Sequence, residues 1–441
     1  MKKRRLSGSQ FIALGFALLI LMGTLLLLLP ISNKDGNWGN AINCLFTSTS
    51  ATCVTGLIVY DTATHWTLFG QIIIIVLIQI GGLGIMTLFS LLTIILRKKI
   101  NLHERKVIMQ ASGSIEMNGV VNLIKKICIG TFICEGIGAF ILSFAFIPDM
   151  GFLKGIYSSI FHSISAFCNC GIDIMGNFSS LSGYANNWIV NITIMALIIS
   201  GGLGFIVWSD LISCKFHYKK LLLHTKIVIW ASLGLIFIPA LIFFVFEFNG
   251  AFRDLSGSSK VLASFFHSVA TRTSGFQTVN STGLSDSSIV LTTCLMVIGG
   301  SPGSTAGGIK TTTFVVLLFS IFSSSSKTSN ISIGKKEIHS STTKQALSII
   351  SLYMFLLIIS SILVLYFEPY PFKEIVFECS SALATAGLSL GITTLLTIPS
   401  KIVLILLMFA GRIGAMSIIF IFHRKGNNDA LRRPKEKILI G

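Results

Sequence analysis

The chain is poor in charge. Asp, Glu, Lys and Arg make up 12% of its 441 residues, against about 25% in a soluble domain, which argues against an ordinary water-soluble fold. It holds nine cysteines, but none has disulfide or zinc spacing. The one close pair is Cys168-x-Cys170, with no second pair and no histidine pattern beside it, whereas a zinc site needs about four ligands. The cysteines therefore read as small hydrophobes. His65, His103 and His423 are scattered and lack Asp or Cys partners. That leaves a polytopic membrane enzyme, such as an acyl transferase, without its nucleophile and base. No inverted repeat is visible either, as a proton-coupled carrier would require.

What the chain has instead is long apolar runs. Runs of about 20 residues span a bilayer, and they occur at 11–32, 67–96, 121–147, 188–213, 225–248, 287–320, 345–367 and 398–423. The expectation is an all-α membrane protein with eight spans. The first run follows Lys2-Lys3-Arg4-Arg5 and resembles a signal peptide, but it is long for one and lacks a small-residue cleavage site. The net charge of +17 suggests nucleic acid until its location is considered. Lys and Arg concentrate at 2–5, 97–126, 215–226, 327–344 and 424–437, after every second span. By the positive-inside rule both termini are cytoplasmic, and the partner is the lipid bilayer rather than nucleic acid. Asp35, Asp61, Asp149, Asp173, Asp254, Asp286, Glu368 and Glu374 fall on the outer connections, where acidic charge concentrates cations.

Four segments end alike: Ser50-Ala51-Thr52-Cys53-Val54-Thr55-Gly56, Ser165-Ala166-Phe167-Cys168-Asn169-Cys170-Gly171, Val269-Ala270-Thr271-Arg272-Thr273-Ser274-Gly275 and Ser381-Ala382-Leu383-Ala384-Thr385-Ala386-Gly387. Their glycines lie 115, 104 and 112 residues apart, so one unit recurs four times. The units are 1–100, 101–215, 216–330 and 331–441, with the loops at 52–57, 167–172, 271–276 and 383–388. Each reads as a long helix, a short helix, the Gly-ended loop and a second long helix, four such units forming a pseudo-fourfold arrangement around one pore. The short helices, about 40–51, 155–166, 259–270 and 372–384, cannot span and should re-enter from outside. Irregular backbone at membrane depth is tolerated where it is buried or lines a water-filled path, and converging loops can ring an axis with carbonyls, as potassium filters do. His162 and His267 recur in the second and third short helices and read as structural hydrogen bonds rather than a proton relay.

The second long helices share Gly81-Gly82-Leu83-Gly84, Gly201-Gly202-Leu203-Gly204, Gly299-Gly300 and Gly411-Arg412-Ile413-Gly414, which suit close helix packing. The third continues Ser301-Pro302-Gly303-Ser304-Thr305-Ala306-Gly307-Gly308-Ile309-Lys310. Pro and five glycines break a helix here. A phosphate loop is excluded, because Ile309 separates Gly308 from Lys310 and the flanks are apolar spans. The segment reads as an intramembrane gate. Arg412, in the last span, is costly in a bilayer and so functional by default. It sets a barrier to cations or pairs with Glu378 or Glu135. Arg272 reads as a brace behind the third loop.

These residues resemble the Trk/Ktr/HKT superfamily of potassium transporters, most closely the bacterial KtrB-type membrane subunit. The similarity covers the whole chain and rests on the four Gly-ended loops, the stretch at 300–310, Gly-Arg-Ile-Gly at 411–414, and a basic tail ending Ile-Leu-Ile-Gly. The resemblance implies potassium uptake across the bacterial plasma membrane by a non-enzymatic homodimer without covalent cofactors, regulated by a cytoplasmic KtrA-type nucleotide-binding ring. It implies a filter at Val54, Thr55 and Gly56; Asn169, Cys170 and Gly171; Thr273, Ser274 and Gly275; and Thr385, Ala386 and Gly387. The gate falls on Gly299, Gly300, Ser301, Pro302, Gly303, Ser304, Thr305, Ala306, Gly307, Gly308 and Lys310, with Arg412 obstructing the pore. Sodium, as rival substrate or coupling ion, stays open. No loop is Thr-Val-Gly-Tyr-Gly, which implies less selectivity than a potassium channel.

Overall fold

A computed structural model of the chain describes residues 8–84, 120–324, 332–333 and 336–414. It is helical, apart from a two-residue hairpin of β1 (Ser332–Ile333) and β2 (Lys336–Glu337). The helices are α1 (Gly8–Leu28), α2 (Ala41–Cys53), α3 (Thr62–His65), α4 (Leu68–Leu83), α5 (Val120–Met150), α6 (Phe152–Phe167), α7 (Trp188–Leu203), α8 (Phe205–Ser213), α9 (Leu223–Glu247), α10 (Gly257–Ala270), α11 (Asp286–Val297), α12 (Thr311–Ser324), α13 (Ser340–Phe367), α14 (Phe372–Ala384) and α15 (Ile398–Ile413). The basic tail and most of the basic stretch at 97–126 lie outside the described residues.

Among the described residues, four single helices are long and apolar enough to cross a bilayer: α1, α5, α9 and α13. They turn large side chains outward, among them Leu18 and Leu25 on α1, Phe140 and Phe144 on α5, Phe237 and Leu241 on α9, and Phe355 and Ile362 on α13. In water such faces would be costly; in a bilayer they meet acyl chains.

The second members of each expected pair depart from the sequence reading. Instead of unbroken spans at 67–96, 188–213, 287–320 and 398–423, α4, α7 and α15 end at Gly84, Gly204 and Gly414, with φ of 82°, 93° and 84°. Past Gly204 the chain restarts as α8, bent by 92° from α7. A run apolar on every side carries no period that marks where it stops, and a left-handed glycine ends a helix at little cost.

The short helices α2, α6, α10 and α14 are largely buried. Four apolar clusters join them in a circle. Phe161 of α6 packs with Trp66 and Ile74 of the first unit. Phe266 of α10 packs with Phe146, Phe167 and Ile194 of the second. Phe377 of α14 packs with Met296 of α11. Phe46 of α2 packs with Leu383 of α14 and Leu404 and Met408 of α15. The last short helix and α15 thus pack against α2. Polar anchors hold the ends: Asn40 caps α2 through the Ile42 and Asn43 amides, and the buried Glu378 carboxylate accepts from Ser389 Oγ, Leu390 N and Thr393 Oγ1 at 2.5, 3.1 and 2.7 Å.

Candidate functional site

Each short helix runs into one of the Gly-ended loops. In each loop the first and third residues have positive φ: Val54 57° and Gly56 95°, Asn169 61° and Gly171 76°, Thr273 66° and Gly275 76°, Thr385 53° and Gly387 81°. The residues between them, Thr55, Cys170, Ser274 and Ala386, do not. Alternating handedness turns successive carbonyls to one side of the strand. The amides are tied back to the short helix: Thr55 N to Ser50 O (2.8 Å), Cys170 N to Ser165 O (2.9 Å), Ser274 N to Ala270 O (3.1 Å) and Ala386 N to Ser381 O (2.8 Å). None of the carbonyls of the three residues in each loop accepts a hydrogen bond from a described residue.

The loops meet one another. A β-carbon built on Gly56 would strike the Cys170 carbonyl, one on Gly171 the Ser274 carbonyl, and one on Gly387 the Thr55 carbonyl. One on Gly275 would stand 3.2 Å from the carbonyls of both Ala386 and Cys170. Each glycine leaves room for a neighbouring loop's carbonyl, and the order closes on itself. The carboxyl ends of four helices adjoin this ring, and each carries about half a negative charge. The arrangement can replace the hydration shell of a cation.

Cys170 and Ser274 stand before the glycines of the second and third loops. Both are fully buried. Asn169, oriented with its amide nitrogen toward the carbonyls of Ala166, Phe167 and Ile198, donates at 3.1, 3.3 and 3.2 Å, and so braces its loop. His162 Nδ1 meets Ser158 O at 2.7 Å and His267 Nε2 meets Thr292 Oγ1 at 3.0 Å, the structural hydrogen bonds expected. Arg272 Nη2 donates to Ser232 Oγ of α9 at 3.3 Å, behind the third loop.

Behind the ring, the first glycine of each second-helix motif lets the backbone come close. A β-carbon on Gly81 would strike Thr52 O, one on Gly201 Phe167 O, and one on Gly411 Leu383 O, each at the carboxyl end of its own short helix. The third copy differs: Gly299 faces Gly307 O of its own loop.

Residues 299–310 fold back on themselves through Gly299 N to Ile309 O (2.9 Å), Ile309 N to Val297 O (3.1 Å) and Thr311 N to Gly300 O (3.1 Å). The tip is bound to the neighbouring break by Ser301 N to Gly202 O (3.0 Å) and Phe205 N to Gly303 O (2.9 Å). Thr305 Oγ1 donates to Phe167 O at 3.2 Å, and the Gly307 Cα adjoins the Thr385 side chain. Lys310 Nζ caps the Ala306 carbonyl at 2.7 Å. The loop therefore lies against the bases of the second and fourth filter-like loops.

Arg412 adopts neither expected ion pair. Its guanidinium donates to Thr305 O, Gly81 O and Gly82 O, joining α15, the 299–310 loop and the end of α4. Glu135 is instead held by Gln79 Nε2 at 3.0 and 3.2 Å, and Glu378 by the hydroxyls and amide already described. The three carbonyls have no signature in sequence, so these partners could not be read there. Nor could the helix-ending role of Gly84, Gly204 and Gly414, which sequence reasoning took as packing residues; their recurrence at a fixed offset from the diglycine was the available signal.

Residues 9–433 match the TrkH family, described as cation transport proteins. The chain belongs to that family. It is a multi-pass membrane protein of a transporter family, not of an enzyme family. It is similar to the potassium/sodium uptake protein NtpJ of Enterococcus hirae, 39% identical with 100% of this chain and 99% of that one covered. It is also similar to the Ktr system potassium uptake protein B of Bacillus subtilis, 38% identical with 99% and 97% covered. The crystal structure of the potassium transporter TrkH from Vibrio parahaemolyticus shares the fold at a TM-score of 0.78 and 18% identity, over 96% of this chain and 86% of that one.

Proposed function

We propose that this TrkH-family chain is the ion-translocating subunit of a potassium uptake system in the bacterial plasma membrane. Its four units, 1–100, 101–215, 216–330 and 331–441, surround one pore, with both termini cytoplasmic. The observation that carries this reading is the ring of four loops, alternating in backbone handedness, whose carbonyls accept no hydrogen bond from a described residue and approach one another across glycines. Layers of four carbonyls each, in low dielectric, favour a cation that exchanges water for them. The relatives named for potassium uptake support potassium as cargo. Below the ring, the 299–310 loop and Arg412 form the gate. The loop bridges two filter bases, and the guanidinium places a fixed positive charge beside the path.

The Ktr resemblance supports a homodimer regulated by a cytoplasmic nucleotide-binding ring. The relative named for both potassium and sodium uptake favours a second reading, in which sodium passes or is coupled. Rubidium uptake into vesicles of purified protein, with and without sodium, tests both. Saturable rubidium flux supports the proposal, stimulation by sodium supports coupling, and absence of flux from folded protein refutes it. Gly56→Ser should weaken rubidium preference over sodium, because its β-carbon would strike Cys170 O at a φ that L residues rarely adopt. Unchanged sodium competition in the folded variant would remove the first loop from the filter.

A further inference from the structure

Outside the pore, a groove of about 600 Å³ opens between α7, α9 and α10. Its lining is apolar, with Trp188, Met195, Leu233, Phe237 and Phe265 among the walls and Ser232 as the one hydroxyl. Ile199, Leu203, Ser232 and Val269 also line a second space of about 10 Å³, which continues to Asn169, Arg272 and Gly300. That is room for about one water or one carboxylate oxygen. The two spaces share a throat.

Arg272 waits at the throat's far side. It is 7% exposed, its Nη2 has the single long bond to Ser232 Oγ, and its Nε has no partner. Among the described residues the one ion pair is Lys373–Asp286, far from it in the chain. A guanidinium offers five N–H donors, and a buried charge left uncompensated is costly. An apolar groove that narrows onto an unpaired buried cation has the shape and charge of a site for an anionic single-chain amphiphile.

We propose that this groove binds a free fatty acid from the bilayer, its tail along α7, α9 and α10 and its carboxylate at the throat, facing Ser232 Oγ and Arg272 Nε. A neutral chain leaves the guanidinium unpaired, and a phospholipid headgroup is too large for the throat. The second space borders Asn169 of one filter-like loop and Gly300 of the gate loop. The carboxylate therefore offsets a positive charge beside the filter, which raises the apparent affinity for rubidium.

Trp188, 48% exposed on the groove wall, supplies the probe. Full-length protein is reconstituted in unbrominated phospholipid vesicles and titrated with dibromostearate. The expected result is saturable quenching of tryptophan fluorescence, lost in Trp188→Phe and in Ala196→Phe, whose ring fills the groove from an exposed position. The matching dibromo alcohol should quench at least tenfold more weakly, and Arg272→Gln should abolish that preference. If Arg272→Gln fails to fold, the acid–alcohol comparison on the unmodified protein decides alone. Equal quenching by acid, alcohol and a brominated phospholipid overturns the proposal in favour of an ordinary bilayer chain. No quenching by any of them overturns it in favour of a groove covered by protein, such as a second copy. Binding is read without transport, so its failure is distinct from failure of the transport reading.

Discussion

Two second helices break at the same diglycine, and the breaks differ in kind. After Gly201-Gly202 the chain turns 92° at one left-handed residue, Gly204, and resumes as a helix. After Gly299-Gly300 it makes a loop reaching Lys310 before α12 begins. The first break frees few backbone groups, and Gly201 O, Gly202 O and Phe205 N of it pair with the 299–310 loop. The second hands its groups to other elements: Gly202, Phe205, Phe167 and Arg412. A one-residue corner is fixed by local geometry. A loop held by bonds to other helices changes when any of them moves, which suits the gate proposed above. The loop is anchored on the corner itself, so the rigid break serves as the frame for the adjustable one.

Removing the Arg412 clamp should have the largest effect. A unit charge about 6 Å from a passing ion at an effective dielectric near 20 opposes it by about 2.8 kcal/mol, roughly a hundredfold in rate. Arg412→Ala should raise rubidium flux per folded protein toward that limit. Because the side chain binds carbonyls rather than a carboxylate, no buried acid is orphaned and melting should fall only a few degrees. Normal melting with unchanged flux would sink the barrier role.

Shortening the loop separates the two breaks more directly. Deleting 302–306 removes the Ser304, Thr305 and Gly303 contacts while leaving Gly204 intact. Flux should rise about tenfold, between the intact protein and the charge-free limit, and lose its dependence on a regulatory partner. A folded deletion with unaltered flux reduces the loop to a packing feature.

The converse change sharpens the comparison. Gly204→Ala imposes a β-carbon at φ 93°, where it would approach Pro302 O. The left-handed strain costs about 1–2 kcal/mol, so melting should drop several degrees while Gly136→Ala, in open space on α5, leaves it unchanged or higher. Equal melting of the two variants would show that the corner is not fixed by its glycine.

The smallest effect distinguishes the gate from the outer mouth. The Asp173 carboxyl lies outside the spans, and burial, with Asp61 adding, pushes it up to about 6 against the hydrogen bond from Met175 N. Above that pH it is charged and concentrates cations. As external pH falls through 6 it is neutralised, so apparent rubidium affinity should fall about twofold to threefold, the scale of one partly screened charge. Asp173→Asn should start at the low affinity and show no such step, and Arg412→Ala should keep the step. A step that persists in Asp173→Asn assigns the titration elsewhere.

Much of this was legible in the residues. The four Gly-ended loops were visible because a carbonyl ring needs small residues and glycine at fixed places, and the 299–310 break because Pro302 and five glycines cannot continue a helix. The left-handed Val54, Thr273 and Thr385 were not legible, since β-branched residues avoid that conformation and only the surrounding packing imposes it. The corners at Gly84, Gly204 and Gly414 were hidden inside uniformly apolar runs. Arg412 announced itself by its charge, but its partners are main-chain oxygens that any sequence possesses.

The four loops have one further consequence, which concerns inheritance rather than energy. A ring assembled from identical subunits repeats every codon change at every corner. Here Thr55, Cys170, Ser274 and Ala386 occupy equivalent places in one polypeptide, so each corner drifts alone. If the ring is the filter proposed above, ion preference can be altered by quarters, one substitution at a time, with three untouched corners still holding the ring together.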